Sequence, residues 1–114
     1  MSVMIGTTSI VNGGFNDNIY AGRQFEFASS DGRYRFGFSL DGGAIGDVEI
    51  DLFCAGDTLG DRLTPGPTNR IPIIPDDVLV QGLCTKNDRI VGRARNPSAG
   101  TRKIFWAVWF DEAL

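Results

Sequence analysis

Residues 32–55 read GRYRFGFSLDGGAIGDVEIDLFCA, and this stretch decides the fold class. Apolar side chains alternate with small or charged ones on both sides of Asp41-Gly42-Gly43. Successive side chains of a β-strand point to opposite faces, so this period of two predicts two strands, each with one buried face. The glycine-rich connection between them is typical of a turn, and we expect the two strands to form a hairpin.

The C-terminal third of the chain repeats this arrangement. Residues 89–96 alternate in the same way, and residues 96–100 (NPSAG) supply turn-forming residue types. The run 103–110 (KIFWAVWF) is apolar on both of its faces. We expect a second hairpin, whose last strand is either central and covered twice or partly committed to another subunit.

Weaker signals complete the prediction of the fold. Residues 4–11, 19–27 and 78–84 are predicted strands, whereas residues 56–75 carry four prolines and are predicted to be irregular. About seven to eight short strands separated by turns indicate an all-β chain. We therefore expect an antiparallel β-sandwich or jelly-roll-like fold, in a single domain that spans residues 1–114.

Composition excludes several classes of function. The net charge of −3 argues against a nucleic-acid-binding protein, which needs a dense basic surface. The first residues show no signal-peptide pattern, and no apolar run approaches the roughly 20 residues of a membrane-spanning helix. We therefore expect that the protein is made in the cytoplasm and does not associate with a membrane. Cys54 and Cys84 are too few for a disulfide scaffold, so they are expected to be buried thiols on separate strands, and a reductant should leave the melting temperature unchanged.

The residue types that carry most catalysis are absent or poorly arranged. The chain has no histidine, which removes the Ser-His-Asp and Cys-His arrangements and the commonest zinc ligand. Glu49 and Asp51 lie on one face of a predicted strand, but a solvated outer face explains this pair better than a catalytic site does. We expect no enzyme activity, no catalytic residue, no cofactor and no metal.

Five aspartates in the middle of the chain have two interpretations. Carboxylates on loops at one end of a sandwich could bind calcium, although no EF-hand spacing is present. Aspartate is also common in turns because its side chain accepts hydrogen bonds from nearby backbone, and this second interpretation is favoured. The residues are Asp41, Asp47, Asp51, Asp57 and Asp61.

One group of residues is a candidate interface. Three arginines follow one face of the strand 89–96, and two aromatic residues would lie beside them across the predicted hairpin. The alternative is that the arginines form a solvated face paired with Glu49 and Asp51, and that the aromatic residues belong to the core. The candidate interface residues are Phe105, Trp109, Arg89, Arg93 and Arg95.

A resemblance to a group of proteins rests on the C-terminal part of the chain. Residues 70–80 (RIPIIPDDVLV), residues 89–96 (RIVGRARN) and the tryptophan-containing last strand resemble small β-sandwich virion proteins of bacteriophages. These include capsid decoration or cement proteins and minor tail or fibre components. The resemblance covers roughly residues 70–111, has no diagnostic motif and carries over no functional residue. It implies a non-enzymatic, oligomeric structural protein that is located in the virion and binds a capsid or tail surface.

Two functions follow from these expectations. The first is a structural protein that forms a homo-oligomer and decorates or cements a phage capsid. The alternative is a small carbohydrate- or ligand-binding module, similar to a lectin. If the last strand is the assembly surface, Trp109→Ser should dissociate the oligomer while the fold survives, and Trp106→Ser should unfold the domain.

Overall fold

The alternating segments fold as strands in the computed structural model, which describes residues 2–23, 26–28, 30–74, 76–98 and 100–112. Within these residues the chain is all-β, with eight strands and no helix. The strands are β1 (Ser2–Ile10), β2 (Phe15–Asn16), β3 (Gly32–Leu40), β4 (Glu49–Cys54), β5 (Asp57–Leu63), β6 (Val78–Cys84), β7 (Ile90–Arg95) and β8 (Arg102–Glu112).

The strands form two four-stranded antiparallel sheets. Sheet I has the order β1-β8-β3-β6, and sheet II has the order β2-β7-β4-β5. The chain pairs β1 with β8, β2 with β7, β3 with β6 and β4 with β5, as if one long hairpin had been rolled up. Eight strands in two packed sheets with this pairing form a jelly roll. The expected all-β sandwich is therefore confirmed.

Both predicted hairpins are wrong. β3 lies in sheet I and β4 in sheet II, so the glycine-rich residues after Leu40 connect the two sheets. β7 and β8 are separated between the sheets in the same way. The connection with hairpin geometry is the two-residue turn Ala55-Gly56 between β4 and β5, where both residues have positive φ, as a type I′ turn requires.

Two further segments differ from their predictions. Residues 57–63, predicted to be irregular, form the edge strand β5, which the sequence pattern hides because most of its side chains are exposed. The described residues of 19–27 form turns and a single bridge between Phe27 and Arg89 instead of a strand. Ile19 and Tyr20 are nevertheless buried, because the Asn18 side-chain oxygen accepts hydrogen bonds from the backbone N–H groups of Tyr20 and Gly92 and fixes the turn against β7.

The inner faces of the two sheets form one hydrophobic core. Tyr34 stacks on Phe110 with ring centroids 4.6 Å apart, and Tyr20 meets Trp106 edge-on at 5.1 Å. These rings are at most 1% exposed, so burial of aromatic surface is the main source of stability at the centre. Burial raises the pKa of the Tyr34 hydroxyl to about 12.

A disulfide joins the two sheets. Cys54 at the end of β4 is bonded to Cys84 at the end of β6, with a Cα–Cα distance of 6.3 Å that lies within the range of protein disulfides. The expectation of two separate buried thiols is therefore wrong. Period-two alternation placed both side chains in the core correctly, but it carries no information on which strand ends meet across the two sheets.

Candidate assembly surface

The outer face of sheet I carries a strip of apolar side chains. β8 lies between β1 and β3, and its odd-numbered residues point away from the core. Across the pairing of β1 with β8, Val3 lies opposite Trp109 and Ile5 opposite Ala107. Val3 is 42% exposed, Ile5 is 51% exposed and Phe105 is half-buried. We call Val3, Ile5, Phe105, Ala107 and Trp109 the apolar strip.

Trp109 itself is buried within the chain. A Cβ atom built on Gly37 would lie 2.8 Å from the indole ring and 3.0 Å from the Cβ of Pro72. The indole therefore fills the space above Gly37, and Pro72 packs at the same point. Trp109 is only 6% exposed as a result, so the central strand β8 is covered on its outer face at this point. Of the two aromatic residues in the candidate interface, Phe105 is the one that solvent reaches.

The segment that covers Trp109 is held to the end of β3 by polar contacts. The buried carboxylate of Asp77 accepts hydrogen bonds from Arg70 Nε at 3.1 Å and from the Ile73 backbone N–H at 3.0 Å. Ser39 Oγ lies 2.6 Å from the hydroxyl of Thr68. This fixed segment presents the exposed side chains of Ile71 and Ile73 on either side of Pro72 in sequence.

The outer face of sheet II is charged along β4 and β7, whereas Phe15 on the edge strand β2 is 65% exposed. Arg95 donates a hydrogen bond to Asp51 at 2.7 Å, and the guanidinium of Arg93 lies 5.8 Å from the centre of the Phe53 ring. Burial raises the pKa of the Asp51 carboxyl, but hydrogen bonds from the Arg62 backbone and the Arg95 guanidinium outweigh it and hold the pKa below its ordinary value. We call Glu49, Asp51, Arg93 and Arg95 the charged surface.

Arg89 is also paired. Its Nε donates to a Glu26 carboxylate oxygen at 2.7 Å. The backbone N–H of Gly22 and the Arg89 guanidinium hold the pKa of that carboxyl below its usual range. Arg95 therefore pairs with Asp51, as the alternative interpretation stated, whereas the acidic partner of Arg89 is Glu26 and Arg93 contacts Phe53.

The structure does not bring the five candidate interface residues together. Phe105 and Trp109 lie on the outer face of sheet I, whereas Arg93 and Arg95 lie on the outer face of sheet II. The grouping depended on a hairpin between β7 and β8, and those strands are in different sheets. A role for Phe105 in assembly stays a prediction; Val3 and Ile5 lie further along the same face, since Thr7 is the β1 residue opposite Phe105. The sequence pattern indicated Val3 and Ile5 only weakly, because the glycine, threonine and serine residues that follow interrupt the alternation of apolar and polar side chains.

The acidic residues are used in turns and ion pairs. Asp47 accepts hydrogen bonds from the Ala44 backbone and from Arg102 Nε, both at 3.0 Å, and these two donors lower the pKa of its carboxyl. Asp41 accepts a hydrogen bond from the Lys103 backbone at 3.2 Å. The turn interpretation is confirmed for Asp47. Across the described ranges, no three acidic or cysteine side chains are grouped so that they could hold a metal ion.

An open cavity lies at the end of the sandwich where β3 begins and β6 ends. Its volume is about 670 Å³, and Leu83 in its wall is 79% exposed. Two of the carboxylates around it have partners: Asp111 pairs with Arg33 and Arg35, and Asp88 accepts hydrogen bonds from the hydroxyl and backbone of Thr85. The Thr85 hydroxyl and then its backbone N–H lower the pKa of Asp88. The lining residues are Asp31, Gly32, Arg33, Asp57, Leu83, Cys84, Thr85, Asp88 and Asp111. Sequence reasoning missed this cavity because its walls come from separate strand ends.

Two further findings concern membrane-spanning helices and similarity to known proteins. In the part of the chain that the structure describes, no helix is long and apolar enough to cross a membrane. Comparison of the sequence with models of known protein families and with curated proteins finds no match.

Proposed function

We propose that this chain is a non-enzymatic structural subunit that forms a homo-oligomer and decorates or cements a larger particle such as a bacteriophage capsid. It works by presenting the outer face of sheet I to a neighbour. The apolar strip supplies the contact, and the exposed Ile71 and Ile73 on the segment that covers Trp109 extend the apolar character beside it.

The observation that carries this proposal is the exposure of Val3 and Ile5 on the same outer face as the half-buried Phe105. Side chains on one face of a sheet can hide apolar surface by packing or neutralise charge by pairing, and the charged surface of sheet II does the second. The apolar strip is only partly covered, by Pro72 over Trp109. Exposed apolar patches on a folded domain are characteristic of contact sites, because covering them removes apolar surface from water.

The topology agrees with this proposal without proving it. Jelly rolls recur in viral capsid proteins, and they recur equally in lectins and cupins. A fold supports many functions, whereas the exposed surface determines what this chain can contact.

Sedimentation velocity at micromolar concentration tests the proposal with two matched variants. Phe105 and Phe53 are both half-buried, both lie on the outer face of an internal strand, and both have a cation over the ring, Lys103 at 5.4 Å and Arg93 at 5.8 Å. We expect the native chain to sediment as an oligomer, Phe105→Asp to lower its mass, and Phe53→Asp to leave the mass unchanged. Circular dichroism checks that both variants fold. A folded Phe105→Asp variant with the native mass contradicts the proposal.

The cavity favours the second candidate function, a carbohydrate- or ligand-binding module. Carboxylates accept hydrogen bonds from sugar hydroxyls, and Leu83 offers an apolar surface at the same place. Trp106 and Trp109 are buried, so neither provides a stacking platform for a sugar. A glycan array with the native chain and Leu83→Asp separates the functions: glycan binding that Leu83→Asp abolishes, from a monomeric native chain, supports the module and contradicts assembly.

A further inference from the structure

β1 is a long edge strand that lacks the usual protection against pairing. It is the outermost strand of sheet I, and its nine residues (SVMIGTTSI) include no charged residue and no proline. The edge β2 of sheet II is only two residues long. The opposite edge β5 carries Asp57, Asp61 and Arg62, and its register shifts twice against β4. Shortness, charge and irregularity are the ways in which proteins block unwanted strand pairing, and β1 uses none of them.

The ladder of sheet I shows which backbone groups of β1 point outward. The backbone N–H of Asp41 donates to the carbonyl of Lys103, so the odd-numbered residues of β8 face β3. Bonding direction alternates along an antiparallel strand, which turns the even-numbered residues of β8 toward the even-numbered residues of β1. The outward N–H and C=O groups of β1 therefore belong to Val3, Ile5, Thr7 and Ser9.

We propose that the open edge of β1 pairs antiparallel with β1 of a second copy of this chain, about a two-fold axis at Gly6. In this register Val3 of one copy lies opposite Ser9 of the other, and Ile5 lies opposite Thr7. Every outward backbone group then finds a partner, because the four outward residues are symmetric about Gly6. A strand without charges brings no like charges together when it meets itself, which is why a second copy fits this edge.

This inference rests on the proposed function, because assembly is the purpose that the pairing would serve. Two four-stranded sheets joined at β1 would become one continuous sheet. Val3 and Ile5 lie next to the seam, so the two apolar strips would meet and form a single larger surface. The edge contact and the face contact are distinct, and different variants break them.

Thr7→Pro tests the edge because it removes an outward N–H and leaves the bonds from β1 to β8 intact. We expect a folded protein whose sedimenting mass is half that of the native chain. Thr8→Pro is the matched control because the N–H that it removes is directed at β8. It also removes the hydroxyl that accepts a hydrogen bond from Trp106 Nε1 at 3.3 Å, so it should lower the melting temperature strongly. Thr7→Lys provides a second folded variant should the proline disturb the strand.

The outcomes separate the two proposals. A native mass retained by folded Thr7→Pro or Thr7→Lys overturns the edge pairing, as does a native chain that is monomeric or has an odd number of copies. If Phe105→Asp lowers the mass and the Thr7 variants do not, the edge inference fails and the proposed function stands. If the Thr7 variants halve the mass and Phe105→Asp has no effect, the edge pairing stands and the proposed use of the face fails.

Discussion

The two outer faces of this sandwich differ in how their side chains are paired or covered. On sheet II, Asp51 and Arg95 pair with each other, and Arg93 covers Phe53. On sheet I, Pro72 covers Trp109, but Val3 and Ile5 stay exposed on the same face as Phe105. A charged face can be complete within one chain because its partners lie on neighbouring strands. An apolar face is complete only when something packs on it, and this difference is the reason for proposing sheet I as the contact surface.

The largest expected effect is on the free energy of unfolding, and it differs between a tryptophan on the inner face of β8 and one on its outer face. Trp106 is fully buried in the core, and Trp106→Ser should cost about 3–5 kcal/mol in the free energy of unfolding. Trp109→Ser should cost less, about 2–3 kcal/mol, because the segment carrying Pro72 can settle onto Gly37 when the indole is removed. Urea denaturation of both variants measures the difference. Equal losses would mean that the outer layer packs as rigidly as the core.

The next effect concerns the bond that holds the two sheets together. Cys54–Cys84 closes a loop with a sequence separation of 30 residues, and its removal should cost roughly 2–4 kcal/mol. The double variant Cys54→Ala/Cys84→Ala, or the native chain in reductant, should therefore melt at a lower temperature. This reverses the expectation from sequence. An unchanged melting temperature in reductant would show that the sulfurs are not bonded in the folded protein.

A smaller effect tests the pairing on sheet II through pH. The pKa of the Asp51 carboxyl is lowered in the folded state, so its charge stabilises the fold above its unfolded pKa of about 4, and this contribution is lost as the pH falls through the folded value. Asp51→Asn should lower the free energy of unfolding by about 1–3 kcal/mol at neutral pH. Thermal unfolding of both proteins across the acidic range should show that difference shrinking below pH 4. A difference that is independent of pH would contradict the ion pair.

The sequence predicted the positions of the strands along the chain better than it predicted which strands pair with each other. β3 spans residues 32–40 and β6 spans residues 78–84, as the alternation and the strand signals predicted. Alternation is a local property that records which face is buried, and it does not record which strand lies alongside. In a jelly roll most strands that follow each other along the chain belong to opposite sheets. Asp41-Gly42-Gly43 therefore connects the two sheets and is not the predicted hairpin turn. β5 escaped prediction because an exposed edge strand has little apolar periodicity.

The candidate site was predictable only in part, for the same reason. The doubly apolar pattern of residues 103–110 correctly indicated a strand that needs cover on both faces. The cover on Trp109 comes from Pro72, which is distant in sequence and lies in a segment without regular structure. The exposed residues Val3 and Ile5 come from the opposite end of the chain, and the register of β1 against β8 places them opposite Trp109 and Ala107, on the same face as Phe105. Such long-range pairings leave no local signal in the sequence.

Hydroxyl-radical footprinting at low and high protein concentration tests the central claim most directly, since it reads both faces in one sample. Phe105 and Phe53 are similarly accessible in the single chain, so each serves as the reference for the other. If the outer face of sheet I is the assembly surface, oxidation of Phe105 falls as the concentration rises and oxidation of Phe53 stays constant. Oxidation of Phe105 that does not change with concentration while the native chain is oligomeric, or protection of Phe53 instead, would contradict the account.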